Sequence, residues 1–214
     1  EAYRDAYFPW HDRGENAVAV ASVRAGNVVG GGDWARDRLV PDTIRALAEG
    51  RAMEVRNPRA TRPWQFVLTP LSGYLWLGVR LLLDGARYAE PWNFGPSELT
   101  CATTRQIVEQ VIALWGSGRW ADVSRDGDLH EAGSLTLSWQ KAATRLEWHP
   151  VYSLPEVLAK TVAWYREWHR QGEAARMHDY SIQQICSYVE DANTMQVRWA
   201  TPQPADRLQR QVIR

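Results

Sequence analysis

The chain has 214 residues, enough for one substantial core or for one domain with part of another. Its 25 basic and 25 acidic residues cancel, which excludes a strong overall pull toward nucleic acid or anionic lipid. Cys101 and Cys186 form no CxxC pattern, so neither a disulfide framework nor a zinc site is indicated, and the five histidines have no metal-ligand spacing.

No signal-peptide pattern and no long apolar run is present, so a cytoplasmic setting is expected. Of the basic residues, 23 are arginines, which suit phosphate and carboxylate but also follow from a GC-rich coding sequence. The 12 tryptophans are expected mainly as core or interface anchors.

In chain order, Glu1 to Trp10 reads as the end of a helix. The run NAVAVASVRAGNVVG, with Val18, Val20 and Val23, predicts one strand, apolar on both faces and therefore covered on both sides in a parallel sheet. RLVPDTIRALAEG predicts a short helix, with Pro41 in its first turn and Gly50 just past its end. AMEVRN reads as a short strand. TPLSGYLWLGVRLLLDG predicts a longer helix, with Thr69 as N-cap, Pro70 at the first position and Gly85 past the end.

PWNFG reads as a short apolar strand ending in glycine. TTRQIVEQVIALWG predicts a helix opened by a capping box of Thr103 with Gln106 and ended before Gly116. SLTLSW alternates like an edge strand. SLPEVLAKTVAWYREWHRQG is the clearest helix, with a second capping box of Ser153 and Glu156 and an apolar face of Leu154, Val157, Leu158, Val162, Tyr165 and Trp168. Strands alternating with helices give an α/β class. Residues 191–214 lose periodicity and read as a loose tail.

Gly30-x-Gly32-x-x-Ala35 after a strand matches a dinucleotide-binding pattern, and Glu54 stands about where a ribose-binding acid is wanted. The mechanism needs a helix that opens at the glycines, to set the pyrophosphate on its N-terminus. Pro41 puts the helix start later, and Asp33 adds a negative charge, so a plain turn or a substrate-facing loop fits better.

AGNVVGGGDW followed by DRLVPD, RNPRATRPWQFV, WNFGP, HEAGSLTL, LEWHP and TVAWY resembles the CDP-glucose 4,6-dehydratases, a branch of the extended short-chain dehydrogenase/reductase (SDR) superfamily. The resemblance covers about residues 1–190. It implies the C-terminal part of a Rossmann-type fold with its smaller substrate-binding domain. Residues 1–36 would end the NAD-binding domain, 37–190 would mostly bind the nucleotide-sugar, and 67–95 would return to the Rossmann sheet. It also implies NAD as cofactor, a CDP-sugar as substrate, and a possible homodimer of the full-length enzyme.

The family's reaction oxidises sugar C4, eliminates water across C5 and C6, and returns the hydride to C6. The catalytic Tyr-x-x-x-Lys of the superfamily is not matched, since no tyrosine here has a lysine four residues on. With a chain that begins at Glu1, the expectation is a substrate-binding portion that does not turn over alone; the alternative is a non-catalytic binding or structural module of the same descent.

The resemblance carries substrate roles onto seven positions. Asn27 would donate to phosphate or sugar, Arg38 and Leu39 would lie along the nucleotide, and Arg62 would grip the diphosphate. Asn93 would sit near the nucleotide, and His130 with Glu131 near ribose and base. Plain structural roles stand beside these. Asn27 or Asn93 could hold a turn, Arg38 could pair with Asp42, Arg62 could stack on Trp64, and His130 with Glu131 could be a solvated pair. Phe66 and Ser138 stand where the family usually has histidine and aspartate. Asp33 and Trp34 have no assignment.

Overall fold

A computed structural model of the chain describes residues 2–8, 18–96, 101–125, 136–172 and 176–201. After a short helix α1 (Ala2–Tyr7), the valine-rich run forms two strands rather than one, β1 (Ser22–Ala25) and β2 (Asn27–Val29). The break is at Gly26, where a Cβ would lie 2.5 Å from the carbonyl oxygen of Pro63. Only glycine lets the two backbones approach so closely. The halves then join different sheets, and the first half is not covered on both sides: Ser22, Val23 and Arg24 are exposed.

Helix α2 (Leu39–Ala48) follows, with Pro41 in its first turn and Gly50 at φ 68° beyond its end, as expected. Next come β3 (Met53–Val55) and β4 (Thr61–Phe66). Helix α3 (Leu68–Tyr88) begins earlier and ends later than its sequence signals. Val67 is already helical and donates its N–H to Val29 O at 2.8 Å, so β4 runs straight into the helix and Thr69 is not its cap. Gly85 lies inside the last turns, next to a local break at Asp84 (φ −153°, ψ 61°).

The chain continues through β5 (Pro91–Phe94), β6 (Cys101–Thr103), α4 (Thr104–Trp115) and β7 (Trp120–Asp122). It ends with α5 (Gln140–Leu146), α6 (Leu154–Gln171) and α7 (His178–Thr194). Both predicted capping boxes are present. The edge strand expected at SLTLSW is not formed over Thr136–Trp139, where the backbone instead leads into α5; Ser134 and Leu135 lie outside the described residues. Residues 191–201, expected as the start of a loose tail, finish α7 and fold back on it. Val197 is buried, and Trp199 stacks on Tyr188 at 5.8 Å.

Among the described residues, three small sheets carry the fold. β1 pairs in parallel with β5, β3 in parallel with β7, and β2 in parallel with β4, whose other edge takes β6 antiparallel. One core gathers α2, α4 and α6 over β2 and β4, around Ile44, Ile107, Leu158 and Tyr165. A second packs α3 and α5 on β5 around Trp92, Phe94 and Trp148. This is an α/β Rossmann-like architecture with parallel sheets flanked by helices.

Candidate nucleotide-sugar site

At the end of β2 the chain enters a cavity of about 470 Å³. Asn27 opens β2 opposite Trp64 of β4, and both line the cavity. Arg62, two residues before Trp64, reaches it from the same strand and donates from Nη1 to its neighbour's carbonyl, Thr61 O, at 3.0 Å. The far wall is the N-terminus of α2, where Arg38, Leu39, Val40 and Pro41 face the space. Arg38 is the N-cap in extended conformation (φ −119°, ψ 129°), and its side chain makes no capping bond to the helix. Uncapped first-turn N–H groups and the helix dipole favour an anion there.

Four of the seven residues singled out from the sequence, Asn27, Arg38, Leu39 and Arg62, thus converge on one cavity. Asn93 does not join them. It lies on β5 beside Arg24 of β1 and does not line the cavity. His130 and Glu131 lie outside the described residues. Arg38 pairs not with Asp42 but with Asp33, Nη1 to Oδ2 at 3.2 Å, while Asp42 pairs with Arg45 at 3.0 Å.

The structure adds Asp33, Asp37, Trp64 and Thr104 to the cavity wall. Asp37 stands at φ 60° and reaches Arg56 at 3.6 Å. Thr104 arrives only through the fold: its N–H donates to Ala60 O at 2.9 Å where α4 starts beside β4, a contact between segments far apart in sequence. No local pattern marks it.

The loop between β2 and α2 is fixed by the protein's own aromatic residues. A Cβ on Gly31 would lie 2.0 Å from Cγ of Trp164. Trp34 packs on Tyr165 and Trp168 at 5.1 and 4.6 Å. Tyr165 donates its hydroxyl to Asp33 O at 2.6 Å, and burial first, then the Asp33 charge, pushes that phenol above its ordinary range. Arg45 donates from Nη2 to Ala35 O at 3.0 Å. Asp33 Oδ1 accepts the Ala35 N–H at 3.0 Å. Gly31 is therefore needed for close approach to α6, not to a ligand, and Asp33 and Trp34 acquire the roles the sequence left blank.

This geometry also decides the glycine pattern. No helix opens at Gly30–Gly32, and α2 begins only at Leu39. With Trp164 against Gly31, the segment does not fit a dinucleotide pyrophosphate in the usual way. Among the described residues no group of His, Cys, Asp and Glu could hold a metal ion, and no helix is long and apolar enough to cross a membrane.

The two departures from the family pattern are local. Phe66 is buried and meets Tyr152 and Tyr188 at 5.7 and 6.3 Å. Ser138 Oγ lies 3.5 Å from the Gln140 N–H, a weak contact at the start of α5.

No family model matches the chain. Over 169 residues it is 43% identical to a CDP-glucose 4,6-dehydratase of Salmonella typhimurium, covering 79% of this chain and 47% of that protein. Among solved structures it resembles a dTDP-glucose 4,6-dehydratase of Bacillus anthracis in complex with NAD (TM-score 0.61, 22% identity, 79% of this chain and 48% of that one). It also resembles a UDP-glucuronic acid 4-epimerase of Bacillus cereus in complex with UDP-glucuronic acid and NAD (TM-score 0.58, 19% identity, 74% and 49%).

The chain spans about half the length of the relatives it matches. Over the matched segment the chain is homologous to that CDP-glucose 4,6-dehydratase, and its fold is the Rossmann-like fold of the two solved structures.

Proposed function

We propose that this chain is the substrate-binding portion of a CDP-glucose 4,6-dehydratase, the enzyme type that converts CDP-glucose to CDP-4-keto-6-deoxyglucose. The observation that carries the reading is the convergence of Asn27, Arg38, Leu39 and Arg62 on one cavity at an uncapped helix N-terminus. A diphosphate needs guanidinium forks and N–H donors, and the cavity offers both. Arg62 and Arg38 neutralise the phosphates, the first turn of α2 donates N–H groups, and the Asn27 amide orients the phosphate or sugar. His130 and Glu131 complete the nucleoside end, and residues 37–190 form most of the sugar-nucleotide domain.

NAD is the cofactor of the complete protein's reaction and is held by residues other than the glycine segment. The chain by itself binds without turnover, since it contains no Tyr-x-x-x-Lys. That same sequence feature favours the second reading, a non-catalytic nucleotide-sugar-binding module of the same descent. A complete polypeptide carrying this segment separates the two by whether it consumes CDP-glucose in the presence of NAD.

Binding is tested by calorimetry of this chain with CDP-glucose, after circular dichroism and size-exclusion chromatography establish that it is folded. Binding is expected, with Arg62→Ala weakening it by roughly tenfold or more, the loss of a charge-assisted hydrogen bond. A folded chain that takes up no CDP-glucose at millimolar ligand would overturn the reading.

A further inference from the structure

The anion cavity contains its own anion. Among the described residues, Asp33 lines it together with Arg38, Arg62 and Asp37, two carboxylates against two guanidinium groups. Asp33 cannot turn away easily. Its Oδ1 is held by the Ala35 N–H, its carbonyl by the Tyr165 hydroxyl at 2.6 Å, and the next residue, Trp34, is packed on α6. Arg38 is the more exposed member of the pair, its side chain 63% exposed against 31% for Asp33. An incoming phosphate can draw Arg38 off Asp33, but the carboxylate stays where it is.

We infer that Asp33 is a charge-selectivity residue: it admits the diphosphate diester of a nucleotide-sugar and disfavours free nucleoside di- and triphosphates in the same cavity. The inference rests on the nucleotide-sugar reading of the site and deepens it. A diphosphate esterified at both ends carries one negative charge per phosphorus. A terminal phosphate carries close to two, because its second ionisation has a pKa of about 6. The surplus charge meets a fixed carboxylate in a partly enclosed space, where like charges repel more strongly than in bulk water. The device would keep abundant nucleotides from occupying the sugar-nucleotide site.

The test measures dissociation constants of CDP-glucose, CDP and CTP for the parent chain, Asp33→Asn and Asp33→Glu, at fixed ionic strength. The parent should prefer CDP-glucose over CTP. Asp33→Asn keeps an oxygen for the Ala35 N–H and removes only the charge, so it should narrow that preference by roughly tenfold, mainly through tighter CTP binding. Asp33→Glu restores the charge and should restore the preference.

An unchanged ratio in Asp33→Asn overturns the inference, as does equal weakening of all three ligands, which would make Asp33 merely a holder of Arg38. Circular dichroism of each variant identifies loss of fold; if Asp33→Asn is unfolded, Asp33→Ser, which also removes the charge and keeps an oxygen for the Ala35 N–H, carries the comparison. If the folded parent binds none of the three, the nucleotide-sugar reading itself fails and the inference falls with it. If the parent binds and only the ratio fails to move, the reading stands and this inference does not.

Discussion

Replacing Gly31 by alanine tests how the loop is held over the site. The new Cβ would lie 2.0 Å from Cγ, 2.2 Å from Cδ2 and 2.6 Å from Cβ of Trp164. These atoms are the root of the indole, not a flexible tip. Trp164 is 8% exposed, donates Nε1–H to Ser181 Oγ at 3.0 Å, and packs edge-on against Tyr165 at 5.4 Å. Neither partner can yield without moving α6 or the loop. The expected cost is about 3 kcal/mol, the upper end of what overpacking a tight contact costs.

Urea denaturation followed by tryptophan emission measures it as a lowered midpoint at unchanged slope. Trp164→Ala removes the two closest contacts and leaves the 2.6 Å one. The same glycine replacement should therefore cost at least about 1 kcal/mol less in that background. The loop carries Asp33 and leads to Arg38, so Gly31→Ala should also weaken nucleotide binding. A Gly31→Ala variant within about 0.5 kcal/mol of the parent, the range of an ordinary surface change, would refute the packing argument.

Two further outcomes follow from the structure. Thr103 accepts the Gln106 N–H at 3.2 Å while Gln106 Oε1 accepts the Thr103 N–H at 2.8 Å, so Thr103→Ala should cost about 1 kcal/mol in the same urea assay; no loss would show that the cap is idle. Burial, first among the causes, holds Tyr152, Tyr165 and Tyr188 above the ordinary phenol range, aided at Tyr152 by Asp191. In the unfolded chain these phenols ionise near pH 10. Their contribution is therefore whole below about pH 10 and is lost as pH rises from there toward the folded values. Tyrosinate absorbance should show these phenols titrating only as the far-ultraviolet dichroism collapses; ionisation of all eight tyrosines in a chain of intact dichroism would contradict this.

The elements legible in the sequence are those whose signal is local. Thr103 with Gln106, Ser153 with Glu156, and Pro41 with Gly50 each mark a helix end through a contact within a few residues, and the structure places those ends there. The elements that were missed owe their existence to distant partners. Thr61–Phe66 does not alternate, because four consecutive residues from Pro63 to Phe66 are buried, and Pro63 argues against a strand by removing a donor. It is a strand because β2 and β6 pair with it. Helix α7 buries mainly Tyr188 and Ala192, too narrow a face to show as periodicity.

The site divides along the same line. Asn27, Arg38, Leu39 and Arg62 are picked out by motif, and the fold brings them to one cavity. Asn93 belongs to a motif too, yet its strand pairs with β1 in a different sheet from β2 and β4, so a shared motif set does not guarantee a shared site. The three glycines were the most conspicuous local pattern, and pattern alone would have made them a cofactor loop. What decides against that is Trp164, more than 130 positions away, which occupies the space a Cβ would need beside Gly31. The aromatic contacts of Trp34 and the Tyr165 hydroxyl then fix Asp33, and through it set the charge of the cavity that Arg38 and Arg62 share. The glycine run therefore acts on the site indirectly: it seats the loop against α6, and the seated loop presents a carboxylate that an anion site would not be expected to keep.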